Sequence, residues 1–258
     1  MSSTAQSTRT VWRYAGGIVA LIVPSVFAWA GEPPPDLARR AATQESLAEE
    51  ARSHYLYRQT VSIEDFDPKG FRAGEYREIK EIIFSPSGER TEQPVGQPRN
   101  DLKRLRLTAE DFRDLREVQP LLLTRETLFL YQAKYRGEVT LDGRPCWLLE
   151  IRPRQILDGQ RLFDGILWID QTTFATVRSE GKAVPEHLST KQENLFPRFT
   201  TRRALIDGHW FPVETLGDDV LPFRNGPVRM RLSIQYSSYR RFGAESSITF
   251  TDPPSPPK

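Results

Sequence analysis

Few residue types able to do chemistry stand in useful spacing in this chain. Ser179-Glu180-Gly181-Lys182 matches Ser-x-x-Lys, in which a lysine one helical turn after a serine activates the hydroxyl as a nucleophile. That chemistry needs a helix, whereas Phe174 to Val184 reads as a strand, where residues three apart point to opposite faces. The three histidines, His54, His187 and His209, lie too far apart for any two to share a metal through a local motif. Asp218-Asp219 and the pair Asp158/Asp164 have the groups a glycosidase uses, yet nothing in the linear order sets two of them across a substrate. Cys146 sits beside Trp147 in an apolar stretch, which suits a buried inert thiol better than a low-pKa nucleophile. Nucleophile-elbow, phosphate-cradle and calcium-loop motifs are absent from the sequence. The expectation is a protein that is not an enzyme, with no catalytic residue, no metal and no cofactor.

What remains is apolar recognition. Tyr131, Tyr135, Trp147, Leu149, Trp168, Met230, Leu232 and Ile234, with Trp210 near them in character, are the candidate lining of a pocket for an acyl chain or another hydrophobic ligand. The alternative is that they are simple core, as aromatics on alternating strands often are. Leu121, Leu122 and Leu123 form an apolar connector that reads either as a lid over such a pocket or as a plug of the core.

These side chains need strands to hold them. Val228, Met230, Leu232, Ile234 and Tyr236 alternate with Arg229, Arg231, Ser233, Gln235 and Ser237, so one face is apolar and the other wet. The same period of two groups Tyr55, Tyr57, Val61 and Ile63, then Phe129, Tyr131, Ala133, Tyr135 and Val139, then Trp147, Leu149 and Ile151. Turn dipeptides punctuate the strands at Lys69-Gly70, Ser87-Gly88, Asp142-Gly143, Asp164-Gly165, Asp207-Gly208 and Asn225-Gly226, which predicts antiparallel neighbours. The absence of a strand-helix-strand rhythm counts against a doubly wound nucleotide-binding fold. Pro33 to about Tyr55 predicts a helix capped by Asp36, with an alanine-rich face formed by Leu37, Ala41, Ala48 and Ala51. A short helix between Leu107 and Val118 should start at Thr108, with Asp111 at the third position and Leu107 and Phe112 at staple spacing, and should end at Pro120. The result is an α+β chain, mainly antiparallel β. Its one-sided greasy sheet must curl on itself, take a helix into its concavity, or hold an apolar ligand.

The two ends read as something other than fold. Arg9 and Arg13, the apolar run from Ala15 to Ala30, and Ala28-Trp29-Ala30 before Gly31 resemble an export signal, with cleavage expected after residue 30 and a retained membrane anchor as the alternative. Pro24 within the run and the lack of a basic cluster after it favour cleavage. Acylation as a lipoprotein is less expected still, because it needs a cysteine just after the apolar run and the one cysteine, Cys146, lies far away. Residues 251–258 read as a disordered proline-rich tail, leaving 31–250 as a single domain. Arg9 and Arg13 are the only charges among the first thirty residues, so of 36 Lys and Arg 34 remain against 34 Asp and Glu. A neutral mature chain makes a nucleic-acid partner unexpected. The basic pairs Lys103-Arg104, Arg202-Arg203 and Arg240-Arg241 read as solvated faces. One cysteine in an oxidising compartment leaves the fold to be held by its core alone.

Three hairpin segments carry a family resemblance: Asp142-Gly143-Arg144-Pro145-Cys146-Trp147-Leu148-Leu149-Glu150-Ile151; Gly165-Ile166-Leu167-Trp168-Ile169-Asp170 through Thr173 to Val177-Arg178; and Ile206-Asp207-Gly208-His209-Trp210-Phe211-Pro212. In this order they resemble the LolA-like periplasmic lipoprotein-carrier superfamily over most of Tyr55 to Phe242, with a charged insertion from about Glu89 to Arg106 as the departure. The resemblance implies a LolA/LolB-like half-barrel, an incomplete antiparallel barrel wrapped around helices with an apolar cavity for acyl chains. The expected role is therefore binding of lipid or an acylated lipoprotein by a monomeric periplasmic protein that is soluble after cleavage. The alternative is an envelope sensor or assembly factor with a filled core that binds a protein partner.

Overall fold

The computed structural model describes residues 32–85, 89–118, 123–188 and 193–242. The expected export signal and proline-rich tail lie outside these residues, as do Leu121, Leu122, Pro120 and the Ser87-Gly88 turn. The chain begins with α1 (Leu37–Arg52) and passes through β1 (Tyr55–Phe66), β2 (Arg72–Phe84), β3 (Arg90–Pro94) and β4 (Arg99–Asn100). The short helix α2 (Ala109–Arg113) runs into a π-helical turn, Asp114–Val118, and a 3-10 turn at Leu128–Leu130 follows. The remaining strands are β5 (Tyr131–Leu141), β6 (Arg144–Pro153), β7 (Leu162–Asp170), β8 (Thr176–Val184), β9 (His187–Leu188), β10 (Glu193–Asn194), β11 (Phe199–Ile206), β12 (His209–Leu221) and β13 (Val228–Arg241).

Eleven of these strands form one antiparallel, unclosed sheet in the order β3-β2-β1-β13-β12-β11-β8-β7-β6-β5, with β4 also paired to β2, while β9 and β10 pair with each other. The turns at Lys69-Gly70, Asp142-Gly143, Asp207-Gly208 and Asn225-Gly226 join neighbours as their sequences predict, and Asp142 and Asp207 take the positive φ that a tight hairpin requires. Asp164-Gly165 is not a turn. Gly165 lies inside β7 directly opposite Gly181 of β8, and the buried Phe163 ring packs over the pair, with its centroid 5.7 Å from that of Phe199. Only glycine leaves the room for that ring, so the dipeptide serves packing rather than chain reversal. The charged stretch after Glu89 adds β3 and β4 to the β2 edge.

Two contacts show how far the sheet curls. Phe112 on α2 meets Tyr76 on β2, ring centroids 5.6 Å apart. Two residues later the Asp114 carboxylate receives Nε of Arg161 at 2.8 Å, immediately before β7. In a flat sheet those two strands, six places apart in the order, would be separated by about 29 Å at the ~4.8 Å strand spacing. The segment therefore crosses a deep concavity, and the sheet is a half-barrel with one inner and one outer face.

The inner face carries the core. Val61 and Ile63 of β1, Leu232 and Ile234 of β13, Leu167 and Ile169 of β7, and Leu149 and Ile151 of β6 join one hydrophobic cluster with Leu37, Ala41 and Ala42 of α1. The outer face is a lattice of cross-strand ion pairs, including Arg58 with Glu81, Arg231 with Glu64 and Asp218, and Arg202 with Glu214. Each exposed pair adds little stability, but together they keep a large sheet surface charged and unavailable for stacking.

The first helix departs from expectation in two ways. Asp36 stands at the N-cap with a left-handed backbone (φ 61°) and makes no capping side-chain bond, pairing with Arg39 instead. Its buried side is not only alanine: Glu45 and Ser46 are buried with Ala41 and Ala42, because Arg203 of β11 projects inward to meet Glu45. The expected solvated face for Arg203 is thus corrected, its neighbour Arg202 remaining outside with Glu214. At the other sheet end, Phe129 is exposed in the 3-10 turn, and Ala133 and Val139 are exposed on β5. An edge strand has a neighbour on one side only, so its alternation does not guarantee burial.

Candidate functional site

The residues with catalytic potential do not converge. Ser179 is buried on the inner face and Lys182 points outward to Glu186 at 3.0 Å, as the strand period requires. The Cys146 thiol is fully buried and pushed up to about 11 by that burial, which keeps it protonated at neutral pH. Asp218 is committed to Arg229 and Arg231 on the outer face, and Asp219 accepts the Arg198 N–H. Among the described residues no three His, Cys, Asp or Glu side chains are grouped as a metal site would need.

The apolar candidates fall on the two faces unequally. Tyr131 is buried on the inner side, where its hydroxyl accepts the Phe163 N–H at 3.2 Å. Tyr135 and Leu149 are cross-strand partners there, and Trp147, opposite Ile169, packs on Phe174 at 4.8 Å. Met230, Leu232 and Ile234 share the inner face of β13. Trp168 does not join them. Leu167 and Ile169 occupy the inner side of β7, so the period of two turns Trp168 outward, where the Arg178 guanidinium stacks over it at 4.8 Å. Leu123 is fully buried in the core cluster, the place expected of a plug.

The two halves of the concavity are closed differently. Over β8, β11 and β12 the cover is α1, locked by the bidentate Glu45–Arg203 pair at 2.6 and 2.7 Å, both side chains almost fully buried. Beside it a cleft of about 150 Å³ remains, with Leu47, Ala48, Leu205 and Trp210 among its walls. Over β1 and β2 the cover is α2, five residues long and without a fully buried side chain, continued by the turn that buries Asp114 and Leu115, while Leu105, Leu107, Leu195 and Phe196 lie against Ile63 and Met230. The helix forms because Thr108 and Asp111 complete a capping box, the Thr108 N–H and hydroxyl both bonding the Asp111 carboxylate. Burial pushes the Asp111 carboxyl up in spite of these bonds. The cover is tied at its far end by the buried Asp114–Arg161 pair.

Clefts open beside this thin cover. One, of about 400 Å³, has Val61, Tyr76, Phe112 and Leu115 as its apolar wall and Glu78, Lys80, Glu92 and Arg116 around it. Burial alone would lower the Lys80 ammonium, but Glu92 and Glu78, 2.8 and 2.9 Å away, hold it above its ordinary value. Burial also lifts the Tyr76 phenol, assisted by its bond to Glu78, so that it stays protonated. The second cleft, about 470 Å³, is bounded by Leu105, Phe223 and Val228 with Lys103, Arg104 and Arg106. Adjoining the second is a small inner space of about 30 Å³ against Ile63, Leu221 and Met230. Of the eight lining candidates, only Met230 borders any of these four spaces. Tyr76, Glu78, Lys80 and Glu92 at the first cleft belong to no candidate set of the sequence, although Tyr76-x-Glu78-x-Lys80-x-Ile82 carries a readable signal: charges on the inward phase of a strand mark a stretch that a dry core cannot cover.

The sequence matches no family model and no curated protein. Among solved structures the chain is similar to a DUF1329 family protein from Desulfovibrio piger, at 16% identity over 84% of this chain and 93% of that one, with a TM-score of 0.42. It is similar also to the LolA superfamily protein NE2245 from Nitrosomonas europaea, at 17% identity over 82% and 99% with a TM-score of 0.34. A third likeness is to the Pseudomonas aeruginosa MucA/MucB complex, at 13% identity over 81% and 99% with a TM-score of 0.23. Of these three structures NE2245 carries the LolA superfamily name, and at these identities and scores the likenesses transfer neither ligand nor partner.

Proposed function

We propose that this chain is a non-catalytic envelope protein that binds an acyl chain, free or attached to a lipoprotein, in the half of its concavity lying under α2. One observation carries the reading. Val61 and Tyr76 lie against the α2 segment, whose five helical residues have no fully buried side chain, and one cleft opens between that helix and β2 while a second opens at its N-cap, Thr108. The α2 residues bury little apolar surface, so a chain sliding beneath them exchanges little contact while the buried Asp114–Arg161 pair beyond the helix stays made, as Glu45–Arg203 does under α1. Each methylene that leaves water contributes about 0.8 kcal/mol, so even partial insertion reaches useful affinity.

The test is expression of the full chain with export, purification without detergent, and native and denaturing mass spectrometry for co-purified lipid. A stoichiometric lipid, or displacement of a fluorescent fatty-acid probe by added acyl chains, supports the reading and identifies the cargo. A protein that emerges empty and leaves such probes unchanged overturns it in favour of an interaction module with a self-filled core.

A further inference from the structure

The cations beside α2 differ from those elsewhere on the sheet. Arg58, Arg72, Arg136, Arg152, Arg178, Arg202, Arg229 and Arg231 each face a carboxylate on the outer surface. Lys103, Arg104 and Arg106 all border the 470 Å³ cleft, no carboxylate lines it, and none of the three makes an ion pair among the described residues. The nearby Asp65 carboxylate is turned inward and fully buried, its Oδ2 taken up by the backbone N–H groups of Lys103, Arg104 and Leu105 at 2.9, 2.5 and 3.1 Å. This wrap holds the basic segment in place. The Arg104 guanidinium is further fixed by the carbonyl oxygens of Phe66 and Pro227, at 3.0 and 3.2 Å. The backbone of the segment and the Arg104 guanidinium are thus pre-organised and lose little freedom on binding, while the Lys103 and Arg106 side chains stand exposed on either side of it.

Apolar surface continues inward from this mouth. Leu105, Arg106 and Phe223 border both the cationic cleft and the small inner space whose other walls include Ile63, Leu221 and Met230. At about 30 Å³ that space takes a water and not a hydrocarbon chain, so a chain lies first on Leu105, Phe223 and Val228 and goes deeper only as the cover yields. An apolar path that starts under three cations, none in an ion pair among the described residues, suits a ligand with an anionic head and a greasy tail.

We infer that the site takes anionic amphiphiles, with a phosphate-type headgroup seated on Lys103, Arg104 and Arg106 and the tail directed beneath α2. This rests on the acyl-binding reading above and deepens it. The experiment is calorimetric titration of the purified full chain, below micelle concentration, with decyl phosphate, decyl maltoside and inorganic phosphate. It is repeated on the Lys103→Gln/Arg106→Gln double variant, which leaves Arg104 and its structural bonds intact. An Arg202→Gln variant controls for loss of positive charge elsewhere.

The expected result is decyl phosphate binding about 10-fold or more tightly than decyl maltoside at low salt, the ratio shrinking as ionic strength rises. In the double variant the ratio falls to about twofold while maltoside binding stays unchanged, and the Arg202→Gln control keeps the wild-type ratio. Equal binding of the two amphiphiles by the wild type, or a ratio that survives in the double variant, overturns the headgroup assignment and leaves the acyl-binding reading standing. Inorganic phosphate binding as tightly as decyl phosphate makes this a free-anion site and overturns the amphiphile assignment. Absence of binding by either amphiphile overturns both readings together.

Discussion

Two buried guanidinium–carboxylate pairs hold the interior where helices meet sheet. Glu45–Arg203 fixes α1 and Asp114–Arg161 fixes the end of the α2 segment, with both carboxylate side chains essentially without solvent contact. A pair of this kind adds little net stability over an apolar replacement, but removing one partner strands a charge. Glu45→Gln or Arg203→Met alone is therefore expected to cost about 3–5 kcal/mol in chemical denaturation, and the double replacement Glu45→Leu/Arg203→Met to recover most of that loss. Asp170 presents a different balance. Burial pushes its carboxyl up, yet bonds from the Thr173 hydroxyl and N–H and from the Arg144 guanidinium outweigh burial and hold it below the ordinary carboxylate range. A carboxyl lowered on folding contributes stability that is complete above its unfolded pKa, about 3.9, and is lost as pH falls through the lower folded value. Wild-type stability measured from pH 6 downward should show that acid-side loss, and Asp170→Asn should be less stable at pH 6 and have a shallower slope below pH 4.

At the scale of elements, the glycine pair between β7 and β8 explains a strand that sequence alone breaks in two. A Cβ at Gly165 runs into the Glu180 carbonyl oxygen and the Phe163 ring, and one at Gly181 meets the Asp164 carbonyl oxygen and the same ring. Backbone cannot give way as a flexible side-chain tip can, so Gly165→Ala is expected to destabilise by about 1–3 kcal/mol or more, read as a drop in denaturation midpoint without a change in slope. The two helices illustrate opposite uses of a local signal. Thr108-x-x-Asp111 builds its capping box in full, whereas Asp36 gives its carboxylate to Arg39 and leaves the first turn of α1 uncapped by any side chain. A longer helix pressed against the sheet draws its stability from packing, and a five-residue helix without buried side chains depends more on its cap.

For the whole molecule, the decisive property is an unclosed sheet curled far enough for one short segment to touch β2 and bond the residue before β7. That crossing divides the concavity into a half sealed by α1 and a half roofed by α2, and the proposed function belongs to the second. Ala109 is exposed on α2 and borders the 400 Å³ cleft, so Ala109→Trp should fill ligand space at little cost to folding. The expected outcome is acyl-probe binding weakened by about 10-fold with the denaturation midpoint nearly unchanged. Conversely, a ligand that binds only the folded chain raises stability by about 2.7 kcal/mol at 100 times its Kd, which a thermal shift with saturating amphiphile would register.

The local sequence by itself determined most of the strands, their antiparallel order of hairpins, the α2 cap and the alternation that puts Tyr131, Leu149, Leu232 and Ile234 on one face. These follow from backbone periodicity and turn chemistry, which act over a few residues. Periodicity also carried the information that Trp168 faces away from Leu167 and Ile169, once the inner phase of that strand is known. Other features depended on partners remote in sequence. The sequence alone could not show that Arg203 meets Glu45 across 158 positions, that Gly165 faces Gly181, or that Lys103, Arg104 and Arg106 make no ion pair among the described residues while arginines on the sheet are paired. Nor could it show which half of the concavity is thinly covered, because that depends on the curl of the whole sheet and on where a single crossing segment lands. Faces and turns are encoded residue by residue, whereas neutralisation, close approach and an open cleft are decided by what tertiary folding brings alongside.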